Sequence, residues 1–516
     1  MNMKTIYKNL SILIVLLVMA TGCNNDWLEL ELKGSMPFAS ESLDTDQKVF
    51  EVLCGAYDML QTKYYSGWSS YYMLANLASG DATPAGGGFS DRPEYWEFYH
   101  YEITAQNPAI EQFWRRNYYG IYRANIVINE IDLQTDAVKQ YQAEAKFLRA
   151  YFYFELVRTF GNIAFYTENL SPSEYRPTNT DKAIVYEQIE KDLTEAIALL
   201  PKKSQQSAAD ITRISKGAAQ ALLGKVYLYQ NKFDDAANML GEVVNSGEYD
   251  LVAEYDSIFK RSEEFGIESV FEIPYASYIH GDFWGNGRES EGNIEVQLAG
   301  PRETAIPGLY NAGWGFDMID SSLVDAWDQA GDPVRKYGTG FGPELYKDLL
   351  NVDPSKDLNN NGFPDDKEKE GWTGWYQKKR APYIGYNDPG QSPMEATYEN
   401  NERMIRFADV LLMYAEALNR KSSPDDTKAL EAVNRVRARV GLSALSLSGN
   451  ALFDAIKLER RLELAMEGGH RFWDLVRWGD APSVLGSQGF VEGKHEVWPI
   501  PESEIGKTNL VQNNGY

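Results

Sequence analysis

The chain predicts an all-α fold: a tetratricopeptide-like helical-repeat superhelix with a loop-rich insertion region. Three observations carry this expectation. Apolar residues return every three or four positions through long segments near both ends of the 516-residue chain, the spacing of helices that bury one face. Two of those segments match a two-helix repeat pattern in which small residues let paired helices approach closely. Between them, from about residue 263 to residue 400, the helical period fades and Gly, Pro, Asn and aromatic residues take over. With 43% hydrophobic residues, the chain can bury a large core.

In chain order, Lys4 and Lys8 head an apolar run, Leu10 to Met19, too short to span a bilayer, so residues 1–22 read as an export signal peptide. The run ends in Ala20-Thr21-Gly22-Cys23, which resembles a lipoprotein processing site; an ordinary secretory leader is the alternative. Acyl chains on Cys23 would supply a stable membrane anchor, with residues 23–41 as the lipidated tether. Asn24, Asp26, Glu29 and Glu31 resemble the surface-export tether of Bacteroidetes-type lipoproteins. Cys54 lies among Val49, Leu53, Ala56 and Leu60 at helical spacing and is expected in the core, not as a nucleophile.

Residues 42–262 are expected to form helical-repeat scaffold, with a projecting loop at 80–106. An amphipathic helix is predicted from about Ser42 to Lys63, and two more in "IEQFWRRNYYGIYRANIVINEI" and "YQAEAKFLRAYFYFELVRTFG". Asp181 is a good N-cap for the helix that Pro201 stops. Gly224, Tyr227, Ala236, Leu240 and Val243 then fall at repeat spacing, and Leu411, Tyr414, Ala429, Val433 and Val436 repeat the order in a second copy. Two copies so far apart imply a scaffold interrupted by an insertion, 263–400, and completed by 401–516 with the C-terminal segment. Within the insertion only "SSLVDAWDQA" reads as helix and "ESVFEIPY" as a strand.

The formal charge of -25 repels phosphate backbones, and no basic cluster offsets it, so nucleic acid is excluded as a partner. "EGGHRFWDLVRWGD" puts a histidine beside carboxylates and arginines, but Arg460, Arg461, Glu463, Glu467, Arg471, Asp474 and Arg477 interleave with apolar residues at helical spacing. This reads as wall. With four histidines, no pair of them at ligand spacing, and no HExxH, P-loop or GxSxG, the chain is expected not to be an enzyme.

"RMIRFADVLLMYAEALNR", "AVNRVRARVGL", "ERRLELAMEGGHRFWDLVRWGD" and "VWPIPESEIGKTNLVQNNGY" together resemble the C-terminal signature of the SusD/RagB family. "IYRANIVINEI", "EAKFLRAYFYFELVRTFG" and "RISKGAAQALLGKVYL" are similar to its N-terminal half. The resemblance implies a surface-exposed outer-membrane lipoprotein that binds glycan and delivers it to a SusC-like TonB-dependent outer-membrane barrel. It aligns no sugar-contacting residue.

Those residues come from composition. Sugar rings pack flat on aromatic faces while polar neighbours hydrogen-bond the hydroxyls, and loops present such groups outward. "GGGFSDRPEYWEFYHY" offers Phe89, Tyr95 and Trp96 after the flexible Gly86-Gly87-Gly88, with alternation read as a strand. "YIHGDFWGNGRE" offers Trp284, Asn286 and Arg288, and "NAGWGF" offers Trp314 and Phe316. In "DLNNNGFPDDKE", Asp357, Asn359, Asn361, Phe363 (through its carbonyl), Asp365 and Glu368 occupy the ligand positions of an EF-hand-like loop, predicting structural calcium, although such residues also build ordinary turns. The alternatives are a structural or adhesion subunit that binds protein or glycopeptide through the aromatic loops, and a glycan-degrading enzyme with two facing carboxylates.

Overall fold

The computed structural model describes residues 43–61, 71–171, 174–280, 289–302, 305–350, 353, 355–357, 369–390 and 394–516. The leader, Cys23 and the tether lie outside them.

The first helix, α1 (Asp46–Asp58), buries Val49, Val52, Leu53 and Ala56. Cys54 does not join them: it is exposed. One residue past Leu53 is about 100° further round a helix, so a run of core positions does not carry its neighbour inward. After α2 (Tyr71–Leu77) and α3 (Pro93–His100) come the long α4 (Pro108–Asn129) and α5 (Asp136–Phe160). α4 and α5 pack at a glycine: a Cβ on Gly120 would lie 2.3 Å from the Phe152 ring. α6 (Lys182–Leu199) starts on the expected cap, where Asp181 accepts from the Ala183 N–H at 2.8 Å.

The two repeat copies are helix pairs, α7 (Lys216–Tyr229) with α8 (Phe233–Val244), and α13 (Phe407–Arg420) with α14 (Asp426–Arg439). In the first, a Cβ on Gly224 would meet Leu240 at 2.5 Å, so the small residue sets how closely the helices approach. The copies then pack directly on each other through α8 and α13, where Tyr414 covers Gly241. Residues distant in sequence are therefore consecutive in the stack.

The insertion leaves and re-enters through a neck. β2 (Ser269–Ile273) runs antiparallel to β8 (Glu402–Arg406), which leads straight into α13. Both strands are fully buried, and their ladder holds together the ends of a long excursion whose closure costs little more entropy than that of a shorter loop. Inside it, besides the expected helix α10 (Ser321–Ala330), stand the short α9 (Ile294–Ala299), α11 (Pro333–Thr339) and α12 (Pro343–Leu350), which lack the length for a legible period. Its other strands are the hairpin β3 (Ile279–His280) with β4 (Glu289–Ser290), β5 (Phe316–Ile319), and β6 (Gly340–Phe341) with β7 (Tyr376–Gln377). Residues 45–516 form one compact unit, and among the described residues no helix is long and apolar enough to cross a membrane.

The C-terminal motif is split. α15 (Gly449–Glu463) and α16 (His470–Trp478) are separated by a turn in which Met466, Gly468 and Gly469 take positive φ. Gly469 also lies against α2, where a Cβ would be 2.4 Å from that of Ala75. The charges are wall. Arg406, at the end of the neck, meets Glu463 at 3.0 Å and Glu467 at 2.7 Å and also pairs with Glu268. Lys379 meets Glu467 at 2.5 Å, and Arg380 binds Glu402 at 2.5 Å and Glu295 at 3.1 Å. Arg460 spans Asp409 and Asp474, and Arg477 meets Glu416 at 2.5 Å.

Burial alone would raise the Glu463 carboxyl, but the Arg439, Arg406 and Arg335 guanidiniums overcome this and hold it down at about 2. Burial, reinforced by Lys225, drives His470 down to about 3. A neutral, buried imidazole 3.5 Å from an ammonium is a packing element.

Candidate functional site

The first aromatic segment is organised by β1 (Ala82–Ala85), which pairs antiparallel with β5, Ala82 opposite Ile319 and Ala85 opposite Phe316. Both strands are buried, so residues 80–106 fold into the body and do not project as a loop. After β1 the three glycines turn the chain tightly. A Cβ on Gly86 would lie 2.0 Å from the Phe316 ring, and one on Gly87 would lie 2.6 Å from the Asp91 carboxylate. Close approach, not flexibility, is what these glycines provide.

The stretch read as a strand is α3, with Pro93 at its first turn, so its aromatics sort by a helical period. Tyr95 and Trp96 consequently face inward. Tyr95 meets Phe316 edge-on at 5.4 Å, and Trp96, 4% exposed, stacks on His100 at 5.7 Å beneath Gly371. Phe316 is buried as well. The expectation that Tyr95, Trp96 and Phe316 meet ligand is therefore corrected: other chain segments cover all three rings. Burial pushes the Tyr95 phenol far up, consistent with a dry setting.

Phe89 is different. It is 53% exposed, and its ring rests 6.0 Å from that of Trp96. Beside it, Asp91 accepts from the Gly87 N–H at 2.8 Å and from Arg302 at 3.1 Å, and the same guanidinium donates to the Trp314 carbonyl at 2.9 Å. Trp314 is half-buried, and its backbone N–H donates to the Gln297 carbonyl at 2.8 Å. A third segment closes the corner: the Trp372 indole donates to the Gly86 carbonyl at 3.0 Å, and Thr83 donates to the Gly371 carbonyl at 2.6 Å. The Asp91–Arg302 pair thus ties together the segments that display Phe89 and Trp314, and both of its members keep partial access to solvent.

Trp284, Asn286 and Arg288 lie outside the described residues, between β3 and β4, which pair Ile279 with Ser290. Tyr278, at the foot of that hairpin, is exposed. Sequence reasoning misses Arg302 and Trp372. Trp372, in "EGWTGW", carries the glycine-flanked tryptophan signal that singles out Trp314; no sequence signal separates Arg302 from other arginines.

Of the calcium-type loop only Asp357 is described; Asn359, Asn361, Phe363, Asp365 and Glu368 fall outside. The Asp357 carboxylate is buried 3.2 Å from Lys347, so an incoming cation would share it with an ammonium. Among the described residues no group of three His, Cys, Asp or Glu side chains is placed to hold a metal.

The corner can hold a polyhydroxylated ring between an open aromatic face and a hydrogen-bonding Asp–Arg pair. Known proteins match over nearly the whole chain. The SusD family model covers residues 351–495, and a second, described as "Starch-binding associating with outer membrane", covers 26–228. A solved laminarin-binding SusD-like protein is 33% identical, with a TM-score of 0.79 over 91% of this chain and 99% of that one. Surface glycan-binding protein A of Bacteroides thetaiotaomicron, solved with laminarihexaose, is 25% identical at a TM-score of 0.76, covering 91% of this chain and 99% of its own. A SusD-like protein of Formosa agariphila, P2, is 28% identical over 98% of each chain.

Proposed function

We propose, from the premise that this chain belongs to the SusD family, that it is a non-catalytic, cell-surface glycan receptor. It captures oligosaccharide at the corner formed by Phe89, Asp91, Arg302 and Trp314 and hands it to a SusC-like TonB-dependent barrel. The acyl chains of Cys23 hold it to the outer membrane, in keeping with the outer-membrane association in the second family description. The observation that carries the reading is the open ring of Phe89 beside the partly exposed Asp91–Arg302 pair, on a backbone fixed by the β1–β5 ladder. Preorganised in this way, a stacking face and a charge-assisted hydrogen-bonding pair lose little entropy on binding.

Because two of the solved relatives are named for laminarin or hold laminarihexaose, β-glucan of that type is the first ligand to try. Structural calcium would bind at residues 357–368, with Asp357 as one of its oxygen ligands. Calorimetric titration against a panel of neutral and acidic oligosaccharides, followed by chromatography of the sugar, tests the function. Retention without cleavage is expected. Cleavage would make the chain an enzyme, and silence against every glycan would move it to the adhesion class.

A further inference from the structure

Away from that corner, a cavity of about 400 Å³ opens among Leu309, Tyr310, Tyr337, Phe341, Lys378 and Tyr383. We infer that it is a second carbohydrate subsite, taking one or two uncharged sugar units; this rests on the glycan reading above.

Size is the first argument, since pockets for small ligands run roughly 300–1,000 Å³. The walls are the second. Tyr310 and Phe341 stack at 5.0 Å and 15°, and Tyr383 meets Tyr310 edge-on at 5.1 Å, so the floor is a set of packed aromatic rings. Tyr337 lines the cavity and is 47% exposed, with the Lys336 ammonium 5.5 Å from its ring and 5.2 Å from that of Trp375. Leu309 is also open, and Ile384, exposed in turn, donates its N–H to the Leu309 carbonyl at 3.1 Å. Exposed apolar surface thus lies beside the opening as well as on the floor.

Charge decides the class of ligand. Asp256, Glu344, Lys260 and Lys378 border the cavity, two of each sign. Asp256 is already met by Lys260 at 2.9 Å and by Lys378, which also donates to the Tyr337 carbonyl at 2.9 Å. The rim carries equal numbers of each sign and Asp256 is paired, so the cavity favours a neutral polyhydroxylated ring over an anion or a cation.

The site is also rigid. Gly340, on the strand that pairs Phe341 with Tyr376, and the next glycine, Gly342, are pressed against neighbours: a Cβ on either would lie 2.6 Å from Ile319 or Trp375 respectively. The cavity and the Phe89 corner share one small core, in which Ala85, Met318, Tyr310 and Phe341 are buried, with Trp372 packed on it near the corner and Tyr383 lining the cavity. Two weak subsites on one rigid core would raise affinity for a polysaccharide above that of either alone.

The test titrates neutral di- and hexasaccharides, the laminari-series first, into the full chain and into a Phe89→Ala/Trp314→Ala variant in which the corner is disabled. The disabled variant should keep weak disaccharide binding. Adding Tyr337→Ala should weaken that residual binding roughly tenfold, while Tyr337→Phe, which keeps the ring, should stay within about twofold. A soaked crystal should show the sugar against Tyr337. Residual binding that ignores Tyr337→Ala overturns the subsite, as does its absence in the disabled variant when the wild-type chain binds. A wild-type chain that binds acidic but no neutral glycan overturns the subsite alone, and one that binds no glycan overturns the glycan reading and the subsite together.

Discussion

The knot around Arg406 and the corner around Phe89 are made of the same kinds of residue, arginine, carboxylate and aromatic ring, yet they do opposite work. In the knot, Arg406, Glu463 and Glu467 are all buried, and Phe259 lies 5.5 Å from the Arg406 guanidinium. Every charge there is used up inside the protein, and the result ties the insertion's neck to the C-terminal helices. In the corner one pair, Asp91 with Arg302, remains partly open and Phe89 faces solvent. Chemical composition does not separate a strut from a binding surface; covering chain does.

That contrast can be broken from either side. Acid should have the largest effect. Asp409, Glu463, Glu467, Asp474 and His470 all have folded values below their ordinary ones, because arginines and lysines face the carboxylates and burial keeps the imidazole neutral. Depressed groups stabilise the fold above their unfolded values and lose that contribution as pH falls toward the folded ones, at about 1.4 kcal/mol for each pH unit separating the folded value from the unfolded one. The His470 loss begins near pH 6.5, where unfolded histidine titrates, and is partly offset by the raised Asp317 carboxyl; denaturant midpoints should fall steeply below about pH 4.3, where unfolded glutamate titrates. A flat profile down to pH 3 would mean the knot contributes nothing.

Arg406→Ala comes next. It takes one guanidinium from Glu268, Glu463 and Glu467, which keep only Arg439, Arg335 and Lys379 between them, a loss of about 3 kcal/mol that urea melts would detect. Asp317, on β5 behind the corner, runs the other way. Burial raises it to about 6 despite Arg380 and the hydrogen bonds from Asn76 and Gln377. A raised carboxyl contributes stability at low pH and loses it as pH rises through 6, so Asp317→Asn should gain about 3 kcal/mol at pH 8 and little at pH 4. Asparagine also tolerates the positive φ of this position.

Phe89→Ala should leave melting within about 0.5 kcal/mol of wild type. It should cost about 1 kcal/mol of glycan affinity. Trp96→Ala, one layer below, should instead cost about 3–5 kcal/mol of stability. If Phe89→Ala binds glycan as wild type does, the corner is not the site. The smallest expected effect is chelation: loosening around residues 350–375 by hydrogen exchange, with the helical melt unchanged.

Most of the scaffold is legible because helical repeats declare themselves locally. The Asp181 cap, the Gly224–Leu240 approach and the Tyr414 position over Gly241 all follow from spacing of three or four residues and from side-chain size. Three errors share one cause. Cys54 sits on the outer side of a helix whose period is plain in the sequence, α3 reads as a strand because a dense aromatic run alternates in either geometry, and the glycines at 86–88 look flexible because the ring that presses on them is far away in sequence.

What the sequence determined by itself, then, was most of the scaffold helices and their pairing in repeats, since those depend on neighbours within a few turns of one helix. Only the tertiary structure decided which aromatic ring stays open and which arginine meets which carboxylate. Arg406 finds Glu268 from 138 positions away, and Trp96 is buried because Gly371 passes over it. Burial is set by chain that arrives from elsewhere, and no local pattern encodes that arrival.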